Sequence, residues 1–79
     1  MDIRQLRYFQ CIVDARSFTR AASVLHIAQP ALTLQVKKLE QELGVQLLVR
    51  HARGVEPTAA GQHLKRFASL WTASASTIR

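Results

Sequence analysis

Between Gln29 and Lys37 the chain reads QPALTLQVK, which offers an amide, a hydroxyl and a cation at helical spacing. A glutamine amide can pair bidentately with adenine N6 and N7. A threonine can bond to bases or touch a thymine methyl, and a lysine reaches phosphate or guanine. Gln29, Thr33, Leu34 and Lys37 therefore suit a helix that enters the major groove of duplex DNA. What sets them on an outward face is the apolar stripe opposite. Leu32, Val36, Leu39 and Leu43 recur at i, i+4, i+7 and i+11. The spacing predicts a helix over 29–43. Pro30 opens it, where a missing N–H costs nothing, and Gly44 stands just past its end.

The elements before this helix read as its frame. A first helix opens at Asp2, with Gln5 three residues on as a variant capping box. Leu6, Phe9 and Val13 form its buried stripe, widened by Ile3 and Ile12, while Arg4, Gln5 and Arg7 face water or a polyanion. After a break at Asp14, Ala15 and Arg16, Ser17 is a good N-cap for a second helix. Phe18, Ala21, Ala22 and Leu25 give that helix its apolar face, and its alanines permit close approach. The pattern ends at His26 and Ile27, a few residues before Pro30. Two short amphipathic helices joined by a tight turn, the second with polar groups outward, make a helix-turn-helix. An ordinary three-helix bundle fits the same spacing.

The segment after Gly44 favours the first of these. Leu47, Leu48 and Val49 form a short apolar run, followed by RHARGVEPT. This reads as a two-stranded hairpin, a wing, with Arg53 beside Gly54 at its tip. Arg50 and Arg53 then project near the backbone of a bound duplex. Arg53 suits a narrow minor groove, where the potential is most negative; the alternative for it is a solvated turn residue. The expected architecture is mainly α, a winged helix-turn-helix of three helices plus a small β-hairpin over residues 1–58. A long C-terminal linker helix follows over 59–79.

Thr58 caps that last helix. Leu64, Phe67, Trp71 and Ile78 repeat along it as a heptad-like seam, with Ala68 and Ala75 beside it. A domain this small has little core to cover such a seam, so it predicts a homodimer with Phe67 and Trp71 as anchors. The pattern has no closing cap after Ile78 and reads as a piece of something longer.

Composition narrows the partners. The chain of 79 residues carries a formal charge of +6, which points to a polyanion, with general solubility as the plain alternative. A domain of this size buries only about 60–65% of its unfolded surface, so help from a partner subunit fits. Hydrophobic residues make up 48% and charged residues 20%, a globular balance. No apolar run approaches the roughly 20 residues of a membrane span and no signal-peptide pattern is present, so a cytoplasmic protein is expected. The single cysteine, Cys11, falls among core positions and reads as packing. His26, His51 and His63 show no metal spacing, and no cofactor is expected. A small enzyme is the weakest reading, because no acid–base pair, activated nucleophile or metal site can be assembled. The readings that stay open are a sequence-specific DNA binder, a non-specific architectural nucleic-acid binder, and a protein-interaction module centred on the last helix.

The residues Leu6, Phe9, Ser17, Phe18, Thr19, Ala21, Ala22, Leu25, His26 and the run Gln29 to Leu32 resemble the amino-terminal domain of LysR-type transcriptional regulators. The likeness continues through the pieces LExxLG at Leu39–Gly44 and RxxRG at Arg50–Gly54, then Pro57, Thr58, Ala60 and Gly61. The resemblance implies a winged helix-turn-helix that binds double-stranded DNA as a dimer through paired linker helices. Full-length members add an effector-sensing domain, absent here, and usually act as tetramers on interrupted inverted repeats. Carried over by position, Gln29, Pro30, Ala31, Thr33 and Leu34 face bases. Ser17, Lys37 and Arg50 serve phosphates, and Arg53 the minor groove. The last helix corresponds to the family's linker by pattern only. Three positions depart from the family. Leu34 stands where a polar or basic residue is common, so contact with a thymine methyl replaces a base hydrogen bond. Ala28 stands where serine is frequent, removing a cap or phosphate contact. Arg16 stands where glycine is frequent, in a turn that wants a positive φ, at a strain on the order of 1 kcal/mol. Phosphate contact by Arg16 is one way to recover it.

Overall fold

The computed structural model describes residues 2–77, with side-chain surroundings through Leu70. Its elements are α1 (Ile3–Ala15), α2 (Phe18–Leu25), α3 (Gln29–Leu43), β1 (Leu48–His51), β2 (Gly54–Pro57) and α4 (Ala59–Thr77). Four helices and one antiparallel hairpin make up the expected winged arrangement.

Local chemistry accounts for the boundaries. Asp2 Oδ1 accepts from the Gln5 backbone N–H at 2.9 Å, and Gln5 Oε1 accepts from the Asp2 N–H at 3.3 Å, completing the capping box. Ser17 Oγ accepts from Arg20 N at 3.1 Å and starts α2. Thr58 Oγ1 accepts from Gly61 N at 3.1 Å and starts α4. Ala28 caps α3 with no side-chain bond, as the missing serine implies, and Pro30 in the first turn leaves one fewer donor to satisfy. Each of the first three helices ends on a left-handed residue: Arg16 at φ 55°, His26 at φ 58° and Gly44 at φ 71°. Only the last of these is the glycine that such a cap favours.

The core gathers Phe9, Ile12, Val13, Phe18, Ala21, Ala22, Leu32, Val36, Leu39, Leu47, Leu48 and Val55 into one cluster. The three expected stripes therefore converge, and the wing contributes its inward residues. Two expected core positions do not. Leu43 is 39% exposed and Ile3 is 36% exposed, because the last turn of α3 and the first turn of α1 project beyond the core.

The wing is pinned at three points. Val55 N donates to the Arg16 carbonyl at 3.2 Å, fixing β2 to the turn between α1 and α2. Gly54, with φ 132°, lies so close to that carbonyl that a β-carbon would stand 2.6 Å from its oxygen. Thr58 N donates to the Leu47 carbonyl at 2.9 Å, and Thr58 Oγ1 donates to the Gln46 carbonyl at 2.6 Å. Gly61 completes the join, since a side chain there would run into the Leu47 carbonyl.

α4 lies against α1 and sends Gly61, Leu64 and Ala68 inward, with Ala60 and Leu64 packed on the core. Phe67 is 48% exposed and Leu70 is 72% exposed on its outer side. The seam read from the sequence is thus divided. Leu64 packs largely within its own domain, Phe67 faces outward, and Ile78 and the side chain of Trp71 lie outside the described residues.

Candidate nucleic-acid interface

α3 crosses the domain with Leu32, Val36 and Leu39 buried, which turns Gln29, Pro30, Leu34 and Lys37 to solvent and leaves Thr33 half-buried. Together with Arg50 from β1, five of these residues line one open groove: Gln29, Pro30, Thr33, Leu34 and Lys37. The fold therefore brings together most of the base-facing and phosphate-facing residues expected from the sequence. Ala31 is exposed one position further round the helix. Arg53 stands apart in the two-residue turn between His51 and Gly54, exposed at the wing tip.

The polar groups in this groove are held in place. Thr19 Oγ1 donates to Gln29 Oε1 at 3.2 Å, so the first residue of α3 is oriented by α2. One acceptor site of Oε1 and both Nε2 donors remain for a base edge. The Arg50 guanidinium stacks 3.9 Å over the centre of the Phe18 ring, and one of its nitrogens donates to Thr33 Oγ1 at 3.3 Å. A stacked cation at such a surface site contributes about 0.5–1 kcal/mol. More important here, Arg50 is fixed beside α3 with several N–H donors left over for phosphate oxygens. Ser17, half-buried at the α2 N-terminus, uses its oxygen as an acceptor and keeps its hydroxyl proton to donate.

Glu40, further along α3, ties the helix to the wing. Its Oε2 accepts from Leu47 N at 2.7 Å and from Leu48 N at 3.3 Å, so the recognition helix itself anchors the start of the wing. Within the wing, Arg53 N donates to His51 Nδ1 at 3.2 Å, and His51 Nε2 lies 3.4 Å from Glu56 Oε2. His51 is thus turned to its neighbour strand.

Three participants were not legible as site residues. Thr19 and Glu40 belong to the motif pieces, yet each carries its role through one long-range bond that linear spacing does not reveal. Phe18 reads only as core, although the face of its ring holds Arg50. Arg16, another residue with a suggested phosphate contact, lies outside the α3 groove. It is exposed and borders the cleft between α1 and α4, with Asp14, Pro57, Gln62, Lys65 and Arg66. That cleft, about 770 Å³, is the larger concavity. Size does not make it the binding surface, because a duplex is met by a projecting helix rather than received in a cavity. Lys65 Nζ pairs there with Asp14 Oδ1 at 3.5 Å, an exposed pair of small energetic weight. Cys11 is half-buried, and burial, followed by the nearby Asp14 carboxylate, pushes its thiol pKa up, which disfavours the reactive thiolate. No group of three or more metal-ligating side chains occurs among the described residues. No described helix is long and apolar enough to cross a membrane.

A helix-turn-helix whose second helix exposes amide, hydroxyl and ammonium groups, flanked by a basic wing, defines a winged DNA-binding domain. The comparisons agree: residues 3–62 match the family model described as bacterial regulatory helix-turn-helix protein, lysR family, and the chain belongs to that family. It is 61% identical over 64 residues to the nitrogen assimilation regulatory protein nac of Escherichia coli (strain K12), covering 81% of this chain and 21% of that protein. It is 48% identical over 68 residues to the transcriptional regulator BenM of Acinetobacter baylyi, covering 86% of this chain and 22% of that protein. The chain thus spans about a fifth of the length of these relatives. Its fold superimposes on the BenM DNA-binding domain in complex with catB site 1 DNA with a TM-score of 0.95, at 42% identity, covering 99% of this chain and 88% of that one. The CbnR DNA-binding domain in its DNA complex gives a TM-score of 0.91 at 42% identity, covering 98% and 88%.

Proposed function

We propose that this domain reads specific sequence in double-stranded DNA for a bacterial transcriptional regulator, with α3 in the major groove and the wing at the adjoining minor groove. The observation that carries the reading is the gathering of Gln29, Pro30, Thr33, Leu34, Lys37 and Arg50 around one groove on α3. Gln29, Pro30, Ala31, Thr33 and Leu34 face base edges. Ser17, Lys37 and Arg50 hold phosphates, and Arg53 enters the minor groove, where its guanidinium meets the strongest negative potential. The +6 charge supplies the sequence-independent part of the affinity.

The domain works as a homodimer through α4, with Phe67, Trp71 and Ile78 at the contact and Leu64 at its inner edge, on an interrupted inverted repeat. The half-exposed Phe67 and strongly exposed Leu70 support this. A longer protein carrying an effector-sensing domain assembles further, to a tetramer, in the bacterial cytoplasm. The domain itself binds and does no catalysis.

Selection from a randomised duplex pool, with affinities repeated at several salt concentrations, tests the reading. Enrichment of an inverted repeat whose half-sites lie on one face of the duplex is the expected result. Binding that weakens with salt yet enriches no sequence would leave a non-specific architectural binder.

A further inference from the structure

An exposed leucine on its own means little, since apolar atoms make up more than half of an ordinary protein surface. Leu34 differs by position. It is 51% exposed in the middle of α3, on the wall of the groove that Gln29, Pro30, Thr33, Lys37 and Arg50 complete. Its polar neighbours are already tied by protein contacts, Gln29 to Thr19 and Thr33 to Arg50. One turn earlier along the same face stands Pro30, also exposed, and one turn later stand Lys37 and Lys38. The face thus holds an apolar spot between an amide at the N-terminal end and ammonium groups towards the C-terminal end.

Against a major groove, that spot has one favourable partner. Donors and acceptors on base edges lose water against a leucine and gain nothing, whereas the C5-methyl group of a pyrimidine is buried at a gain. We infer that Leu34 makes this domain a reader of the pyrimidine 5-methyl group, so that thymine and 5-methylcytosine are both accepted at one position of each half-site while uracil and unmethylated cytosine are disfavoured. The inference rests on α3 occupying the major groove and adds to it a chemical requirement that the polar residues do not impose.

The test uses the 79-residue chain and the duplex it selects from a randomised pool. Each thymine is replaced in turn by deoxyuridine, which removes only the methyl carbon. The expected result is a loss of about four-fold in affinity per half-site at one position, the effect of one buried methyl group. At that same position, 5-methylcytosine is expected to bind about four-fold tighter than cytosine. In Leu34→Ala both differences vanish, and because Leu34 is exposed the variant keeps its fold, which circular dichroism checks. Equal binding of thymine and uracil duplexes at every position overturns the inference, as does a methyl effect that survives intact in Leu34→Ala. Failure of the groove reading is separate and looks different: the pool then yields no preferred sequence at all.

Discussion

Glu40 Oε2 sits 2.7 Å from the backbone nitrogen of Leu47, so a residue of the recognition helix holds the first residues of the wing. The same oxygen accepts from Leu48 N at 3.3 Å. Hydrogen bonds to a charged acceptor contribute about 1.5–3 kcal/mol when partly sheltered. Glu40→Ala should therefore destabilise the domain by about 2 kcal/mol in urea unfolding and also weaken DNA binding, since the wing loses its registration to α3. Glu40→Gln keeps a neutral acceptor and should lose about half as much. A Glu40→Ala variant within about 0.5 kcal/mol of the parent would show that the bond is not made in solution.

How this pair escaped the sequence, while much around it did not, has a physical reason. The α3 limits follow from Pro30, Gly44 and the spacing of Leu32, Val36 and Leu39, all local signals that the structure reproduces at Gln29–Leu43. Asp2, Ser17 and Thr58 announce helix starts because capping is a contact across three residues. Glu40 looks like any polar residue on a helix flank, and its partners are backbone atoms, which have no sequence signature. Leu43 continues the stripe yet leaves the core, because periodicity says which face a residue is on and not where the core stops. Leu64 and Phe67 belong to one heptad pattern, and only the placement of α4 against α1 shows that the first faces inward and the second outward.

The glycines of the wing and of the α3 cap offer a matched pair. Both have positive φ, but around Gly44 a β-carbon would meet open space, whereas at Gly54 it would stand 2.6 Å from the Arg16 carbonyl oxygen. Gly44→Ala should cost about 1 kcal/mol, the ordinary penalty of the left-handed region. Gly54→Ala should cost about 2–3 kcal/mol, and it should also weaken DNA binding by displacing Arg53. Equal losses for the two variants in chemical unfolding would mean that the wing yields freely at Arg16.

Arg16 makes a prediction of opposite sign. It holds φ 55° as the cap of α1 and borders the α1–α4 cleft, outside the α3 groove. Arg16→Gly should raise stability by about 0.5–1 kcal/mol through relief of the left-handed strain. The slope of log affinity against log salt should be unchanged, because no phosphate partner is lost. A slope reduced by about one would place Arg16 on the DNA backbone after all.

The division of labour along α3 can be separated by comparing cognate and scrambled duplexes. Gln29→Ala removes the amide oriented by Thr19 and should cost about 1–3 kcal/mol on the selected site, with little change on scrambled DNA. Thr19→Val leaves the amide in place but frees its rotation, so it should weaken discrimination at the same base position by a smaller factor. Lys37→Ala removes an exposed cation and should weaken all duplexes alike while lowering the salt slope by about one. The three outcomes differ in kind: loss at one base, partial loss at that same base, and loss without regard to sequence. If Gln29→Ala and Lys37→Ala weaken cognate and scrambled duplexes equally, the amide reads no base, and the specificity of this domain must come from elsewhere on α3 or from the shape of the DNA.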